Sequence, residues 1–139
     1  LAAATGADLA VVEHFAIFHD ACRWRDDVDH EHGPRAAGLV RAMRGAIDLD
    51  DAQVGLLALA CDCHTRGPRF PCHETVLACL DADRLDIPRV GLRIRPALLF
   101  TPAARDPAIL AWAGDRAWRD EEPLVRVDEW RIDEREGGT

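Results

Sequence analysis

Leu57, Ala60, Cys61 and His64 fall at i, i+3, i+4 and i+7, and Val76, Cys79, Leu80 and Asp83 repeat that spacing. Each set lies along one face of a helix, and each apolar face ends in an ionisable side chain. This constrains the fold more than any other feature of the chain. An apolar helix face has to be covered, and an imidazole or carboxylate buried with it needs a partner. Helices are therefore expected to pack so that His64 and Asp83 meet groups brought by other elements.

The remaining segments also read as helices. Leu9, Val11, Val12, Phe15, Ala16 and Phe18 have helical spacing behind Asp8, an N-cap residue, which predicts a helix over 8–22. Pro34 suits the first turn of a helix over 34–45, closed by Gly45. Asp50 or Asp51 caps a third helix that ends near His64, since Gly67-Pro68 forbids continuation. Residues 65–73 form a loop, and a fourth helix covers 74–85. Pro88 starts a short helical turn, residues 92–105 read as an irregular apolar segment, and Asp106-Pro107 opens a helix to Trp118. Apart from Val125-Arg126-Val127, nothing suggests a strand, and no hairpin signal is present. The expected class is all-α: one helical domain over 1–119, then a charged tail over 120–139 whose last residues, 134–139, are expected to be disordered.

Charge and composition remove several functions. The 139 residues carry a net charge of −8, which argues against a nucleic-acid polymer as partner, because phosphate neutralisation needs a basic surface. A small phosphorylated molecule stays compatible, since a metal ion can bring the positive charge locally. No apolar run approaches about 18 residues, so no membrane span is expected. No secretory leader pattern is evident, and five Cys do not make a disulfide framework, so a reduced, cytoplasmic protein is expected. All 17 basic residues are Arg, which is read as codon bias. Trp24, Trp112, Trp118 and Trp130 follow no pattern and are expected in core or interface packing.

The chemistry-bearing groups are ordered along the chain. His19-Asp20 closes the first apolar helix, His32 stands just before the second, His64 closes the third and Asp83 lies near the end of the fourth. Imidazoles and carboxylates at helix ends are ligands for divalent transition metals, so His19, Asp20, His32, His64 and Asp83 are the candidate metal ligands. Each also has a plainer reading. His19 and His64 fit hydrogen-bonded core histidines, His30 and His32 fit a surface loop, and Asp83 fits an ion pair with Arg84, Arg23 or Arg89.

The string His-Asp, then His-Gly ahead of a helix, then His-Thr-x-Gly closing a helix, then Ala-Asp-Arg-Leu-Asp resembles the HD-domain metal-dependent phosphohydrolase superfamily, across about residues 8–91. It is most similar to the branch whose extra histidines hold two metals. The resemblance implies an HD-like helical bundle and one or two ions (Mn, Fe, Ni, Co or Zn) on His19, Asp20, His32, His64 and Asp83, with Asp20 as bridge. It implies a catalytic set of Asp20, Arg23 and Asp83, with Arg23, Arg84 and Arg89 contacting phosphate oxygens of a nucleotide or other small phosphoester. For Arg23 an ion pair with Asp26, Asp27 or Asp29 is the plainer alternative. The family carries a further ligand His on a separate upstream helix. Only His14 precedes His19 here, and on the same helix, so the expectation is that this chain lacks the family's first helix.

Two other functions fit the same residues. One is a helical module that binds metal or a small ligand without turnover. The other is a zinc-stabilised interaction domain built on Cys61, Cys63, His64, Cys72 and His73, although Cys61 and Cys63 diverge by about 160° if the helix runs through them. Substrate, metal identity and oligomeric state are left open by the sequence.

Overall fold

The computed structural model describes residues 1–25 and 28–118. Among these the chain is all-α, with helices α1 (Ala2–Thr5), α2 (Leu9–Phe18), α3 (His32–Ala42), α4 (Asp51–Arg66), α5 (Glu74–Asp86) and α6 (Pro107–Trp118). Three short 3-10 turns, Ile87–Val90, Pro96–Leu98 and Ala103–Arg105, join α5 to α6. None of the described helices is long and apolar enough to cross a membrane. The tail over 120–139, with Val125–Val127, lies outside the described residues, as do Asp26 and Asp27.

Local chemistry sets the helix starts. Asp8 caps α2 by accepting from Val11 N at 3.2 Å. Its other oxygen accepts from Gln53 Nε2 at 2.9 Å and its N–H donates to Thr75 Oγ1 at 3.1 Å, so one residue ties α2 to α4 and α5. These hydrogen bonds hold the Asp8 carboxyl below its ordinary pKa. Asp50 and Gln53 form a reciprocal capping box on α4. His73 caps α5, its Nδ1 accepting from Thr75 N at 3.2 Å.

Helix ends depart from the expectation where side-chain chemistry intervenes. α2 stops at Phe18, and residues 19–22 continue as tight turns, Ala21 N bonding Phe18 O and Arg23 N bonding Asp20 O. α3 starts two residues earlier than expected, at His32, because Pro34 still sits in the first turn, where its missing N–H is not needed. α3 also ends at Ala42, short of Gly45, while α4 runs on to Arg66 before Gly67 stops it at φ 78°.

α4 is the central helix and packs against α2, α3 and α5. The main core gathers Phe15 from α2, Val40 from α3, Leu57 and Cys61 from α4, and Val76 and Cys79 from α5. A second cluster, Leu85, Leu99, Ala104 and Ala113, seats the 3-10 segment and α6. Of the tryptophans expected in core or interface packing, Trp24 and Trp112 are not in the core, while Trp130 and the Trp118 side chain lie outside the described residues. Trp24 is 78% exposed and Trp112 56%, and each instead carries an arginine over its ring, Arg35 at 4.1 Å and Arg116 at 5.3 Å.

Candidate metal centre

Both stripes that end in an ionisable residue are buried as their spacing requires: Leu57, Ala60, Cys61, Val76, Cys79 and Leu80 are core residues. His64, on α4, and Asp83, on α5, therefore emerge side by side at one end of the core. α2 delivers His19 and the turn after it Asp20 to the same place, and the first residue of α3 is His32.

Gly33 makes the approach of α3 to α4 possible. A Cβ there would stand 2.4 Å from Cys61 O and 2.5 Å from Thr65 Oγ1, closer than any side chain tolerates. The glycine lets the start of α3 lie against the last turns of α4, and this brings His32 to His64, with ring centroids 4.7 Å apart.

The five groups converge. His32 Nε2 lies 3.0 Å from Asp20 Oδ1 and 3.4 Å from His64 Nε2. His64 Nε2 lies 3.6 Å from Asp20 Oδ1 and 4.0 Å from Asp83 Oδ2. His19 Nε2 lies 3.6 Å from Asp83 Oδ1 and 3.7 Å from Asp20 Oδ2. They form two overlapping trios, His19–His64–Asp83 and Asp20–His32–His64, each with ligand atoms within 4.8 Å of one another. Asp20 turns one oxygen toward each side of the cluster, while His64 Nε2 has a single lone pair and can serve only one ion.

Hydrogen bonding fixes which atoms face inward. His19 Nδ1 is 2.9 Å from Phe15 O and His32 Nδ1 is 2.5 Å from Asp29 O. A carbonyl oxygen only accepts, so both Nδ1 atoms carry a proton, and in the neutral ring each Nε2 then presents a bare lone pair to the centre. The carboxylate oxygens facing them are acceptors too. His64 Nε2 lies 3.4 Å from His32 Nε2, where it can donate when it carries the ring proton and ligate when Nδ1 carries it. Among the described residues Asp20 Oδ1 and His64 Nδ1 are buried without a hydrogen-bond partner. A buried carboxylate oxygen left so is costly unless a cation lies against it, and a His64 that ligates through Nε2 carries its proton on Nδ1. Ligands bonded at about 2.0–2.1 Å in a tetrahedron stand roughly 3.4 Å apart; the facing pairs given above are 3.0 to 4.0 Å apart, and every ligand atom of a trio lies within 4.8 Å of the others. The donor set, three imidazoles and two carboxylates, suits a divalent transition metal.

Electrostatics agree with that chemistry. Burial, followed by the charges that His19 and His32 would carry, pulls the His64 pKa down to about 4. His64 is thus neutral near pH 7, the form that ligates. Burial likewise raises the Asp83 pKa, against the pull of a charged His19.

The cluster opens into a cavity of about 370 Å³ lined by Arg23, Val28, Asp29, His30, His32, His64, Thr65 and Asp83. Arg23 stands at its mouth with Nη1 3.1 Å from Asp20 Oδ2, so its ion partner is Asp20 rather than Asp29. Arg84 and Arg89 were expected at the same site and are placed differently. Arg84 donates to Leu98 O, stacks 4.3 Å over Phe100 and lines a separate cavity of about 490 Å³. Arg89 pairs with Asp86 at 2.8 Å, close enough to Asp20 and Asp83 to feel their charge but not among the lining residues. The ion pair expected between Asp83 and an arginine is replaced by His19 and His64. His14 faces elsewhere, its Nδ1 2.8 Å from Ala10 O and its ring stacked on Phe18.

Among the described residues no Cys belongs to a ligand group. Cys61 and Cys79 are buried in the core, where desolvation pushes their thiols up to about 12, and His73 is an N-cap. The structure does not assemble the cysteine site weighed from the sequence.

Sequence reading overlooked Asp29 and Arg35 as parts of the site. Asp29 was weighed only as an ion partner of Arg23, yet its carbonyl orients His32. The signal was present: in Asp29-His30-Glu31-His32-Gly33-Pro34-Arg35 an acid precedes His32 by three residues and an arginine follows it by three.

Comparison of the chain with protein-family models, with curated proteins and with solved structures returns no match.

Proposed function

We propose that this chain is a metal-dependent phosphohydrolase of the HD type, acting on a nucleotide or other small phosphoester. The observation that carries the reading is the convergence of three imidazoles and two carboxylates, with His32 Nε2 3.0 Å from Asp20 Oδ1, an oxygen that is buried without a hydrogen-bond partner among the described residues. The ordered resemblance of His19-Asp20, His32-Gly33, His64-Thr65 and Asp83 to that superfamily adds the reaction class.

His19 and Asp83 would hold one ion and Asp20 and His32 a second, with His64 serving either. Divalent ions bound there would activate water toward phosphorus at neutral pH and offset charge on the phosphoryl oxygens. With its histidines neutral the cluster carries two carboxylates, Asp20 and Asp83, against the guanidinium of Arg23, while Asp29 at the mouth is paired with Arg35. Without cations such a mouth repels a phosphate. Arg23, one nitrogen on Asp20 and 40% exposed, keeps donors for a phosphoryl oxygen.

The test is metal content of the purified protein, then hydrolysis of p-nitrophenyl phosphate, bis-p-nitrophenyl phosphate and a nucleotide panel with Mn, Fe, Co, Ni or Zn added. Protein that binds metal and hydrolyses none of these is not the proposed enzyme.

One observation favours a second reading, a metal-binding module without turnover. Of the arginines expected on phosphate, Arg84 bonds Leu98 O and Arg89 pairs with Asp86, which leaves Arg23 at the cavity. Saturable metal binding with no turnover on the same panel would select it.

A further inference from the structure

We propose that Arg35 and Asp29 form a positioning clamp that locks His32 in its ligating tautomer and holds the His19-Asp20 corner against it. The inference rests on the metal-site reading above.

Arg35 lies on α3, three residues past His32. Its Nε and Nη2 donate to Cys22 O at 3.2 and 3.1 Å. Cys22 follows Asp20 by two residues, in the turn that leaves α2. The same Nη2 donates to Asp29 Oδ2 at 2.5 Å. One guanidinium therefore bonds both segments that deliver ligands, the corner bearing His19 and Asp20 and the loop leading into His32. Its planar fork can satisfy a carbonyl and a carboxylate at once, which an ammonium cannot do with fixed directions.

Asp29 is the second half. Its carboxylate accepts from Trp24 N at 3.1 Å, from Glu31 N at 3.3 Å and from Arg35, and the side chain is only 8% exposed. Three donors on one carboxylate fix the Asp29 peptide, and its carbonyl takes the His32 Nδ1 proton at 2.5 Å. With that proton on Nδ1, the Nε2 lone pair points at Asp20 and His64. Arg35 Cζ lies 4.1 Å from the centroid of the Trp24 ring, which covers one side of the guanidinium. Neither Arg35 nor Asp29 belongs to a ligand group, so their part is to orient rather than to ligate.

The test uses the full chain, metal-free, with imidazole nitrogens labelled. In the wild type, long-range proton–nitrogen correlation should show His32 in a single Nδ1–H tautomer. Arg35→Met should release the Asp29 peptide, and His32 should then show a tautomer mixture or the Nε2–H form. Cobalt(II), titrated by its visible absorption, should bind the variant about tenfold or more weakly, the effect usual for groups that orient metal ligands. Arg35→Lys keeps the charge but loses the fork and should behave like the Met variant. If Arg35→Met loses its circular-dichroism signal, Asp29→Asn is read by the same two measurements and should show the same changes. A lone Nδ1–H tautomer and unchanged cobalt affinity in a folded variant would overturn the clamp. Wild-type protein that binds no cobalt would instead sink the metal reading, and the tautomer measurement would still decide the clamp.

Discussion

Asp81 and Asp83 stand two residues apart on α5 and face opposite sides of it. Asp81 is fully buried and accepts from Phe100 N at 2.7 Å, Thr101 N at 2.8 Å and Thr101 Oγ1 at 2.7 Å. Asp83 turns its oxygens to His19 and His64. Two residues on a helix differ by about 200°, so one acid pins the segment after the first 3-10 turns and the other lines the cluster. The two should separate cleanly on mutation. Asp81→Ala strands the buried Thr101 N–H and hydroxyl and the half-buried Phe100 N–H, and should cost about 3 kcal/mol or more in denaturant unfolding, with cobalt affinity within a few-fold of wild type. Asp83→Asn should do the reverse. Burial disfavours the ionised carboxylate that neutral pH enforces, so the metal-free variant should be as stable as wild type or more so, while metal affinity falls by at least about tenfold. Loss of cobalt binding in Asp81→Ala with retained fold would reverse the assignment.

Metal-free stability should carry a slope from His64. Its folded pKa of about 4 lies below the ordinary 6.5, so the folded state binds fewer protons than the unfolded state between those values. Stability from this group is then complete above pH 6.5 and lost as pH falls toward 4. The full loss is on the order of 3 kcal/mol, at about 1.4 kcal/mol per unit. Asp83 runs the other way, because a raised carboxyl pKa favours the folded state at low pH. The difference between wild type and His64→Gln across pH 4–7, with chelator present, isolates the histidine. Parallel stability curves would show that His64 is not buried as described.

Gly33→Ala should injure both fold and site. The new Cβ meets a backbone oxygen, Cys61 O, as well as Thr65 Oγ1, so trimming Thr65 to Ala cannot fully restore the space. A cost of about 1–3 kcal/mol is expected, along with weaker metal binding as α3 backs away from α4. Thermal melts and cobalt titration of Gly33→Ala, alone and with Thr65→Ala, check this. A stable variant of wild-type affinity would show that the approach of α3 to α4 is not needed.

Thiol chemistry should leave the site untouched. Cys61 and Cys79 are buried with thiols near 12, so a disulfide reagent at pH 8 should reach the half-buried Cys22 and Cys72 first and the core pair only on unfolding. Cys61→Ala with Cys63→Ala should keep cobalt affinity. Peptide mapping after timed labelling gives the order, and rapid native labelling of Cys61 or Cys79 would contradict it.

Helix class and most boundaries could be read from sequence because the determinants are local. Asp8, Asp50 and Gly67 act on backbone groups within a few residues of themselves. The stripes through His64 and Asp83 were legible for the same reason, since the period of a helix decides which side chains share a face. The ends that slipped are those where another element intervenes. α3 begins at His32, whose ring nitrogens are engaged by Asp29, Asp20 and His64.

The arginines show the limit most directly. Arg23, Arg84 and Arg89 looked equivalent as phosphate contacts, but a guanidinium on a long stem goes to whichever acceptor packing brings near. For Arg23 that is Asp20, for Arg84 Leu98 O and the Phe100 ring, for Arg89 Asp86. The helices, their buried faces and the residues at which those faces turn ionisable are legible along the chain, because periodicity and capping are short-range. The convergence of five of those residues, and the bonding of Arg35 to both sides of the corner, come from packing. Those facts depend on how closely α3 can approach α4 at Gly33, a distance between segments that no local pattern encodes.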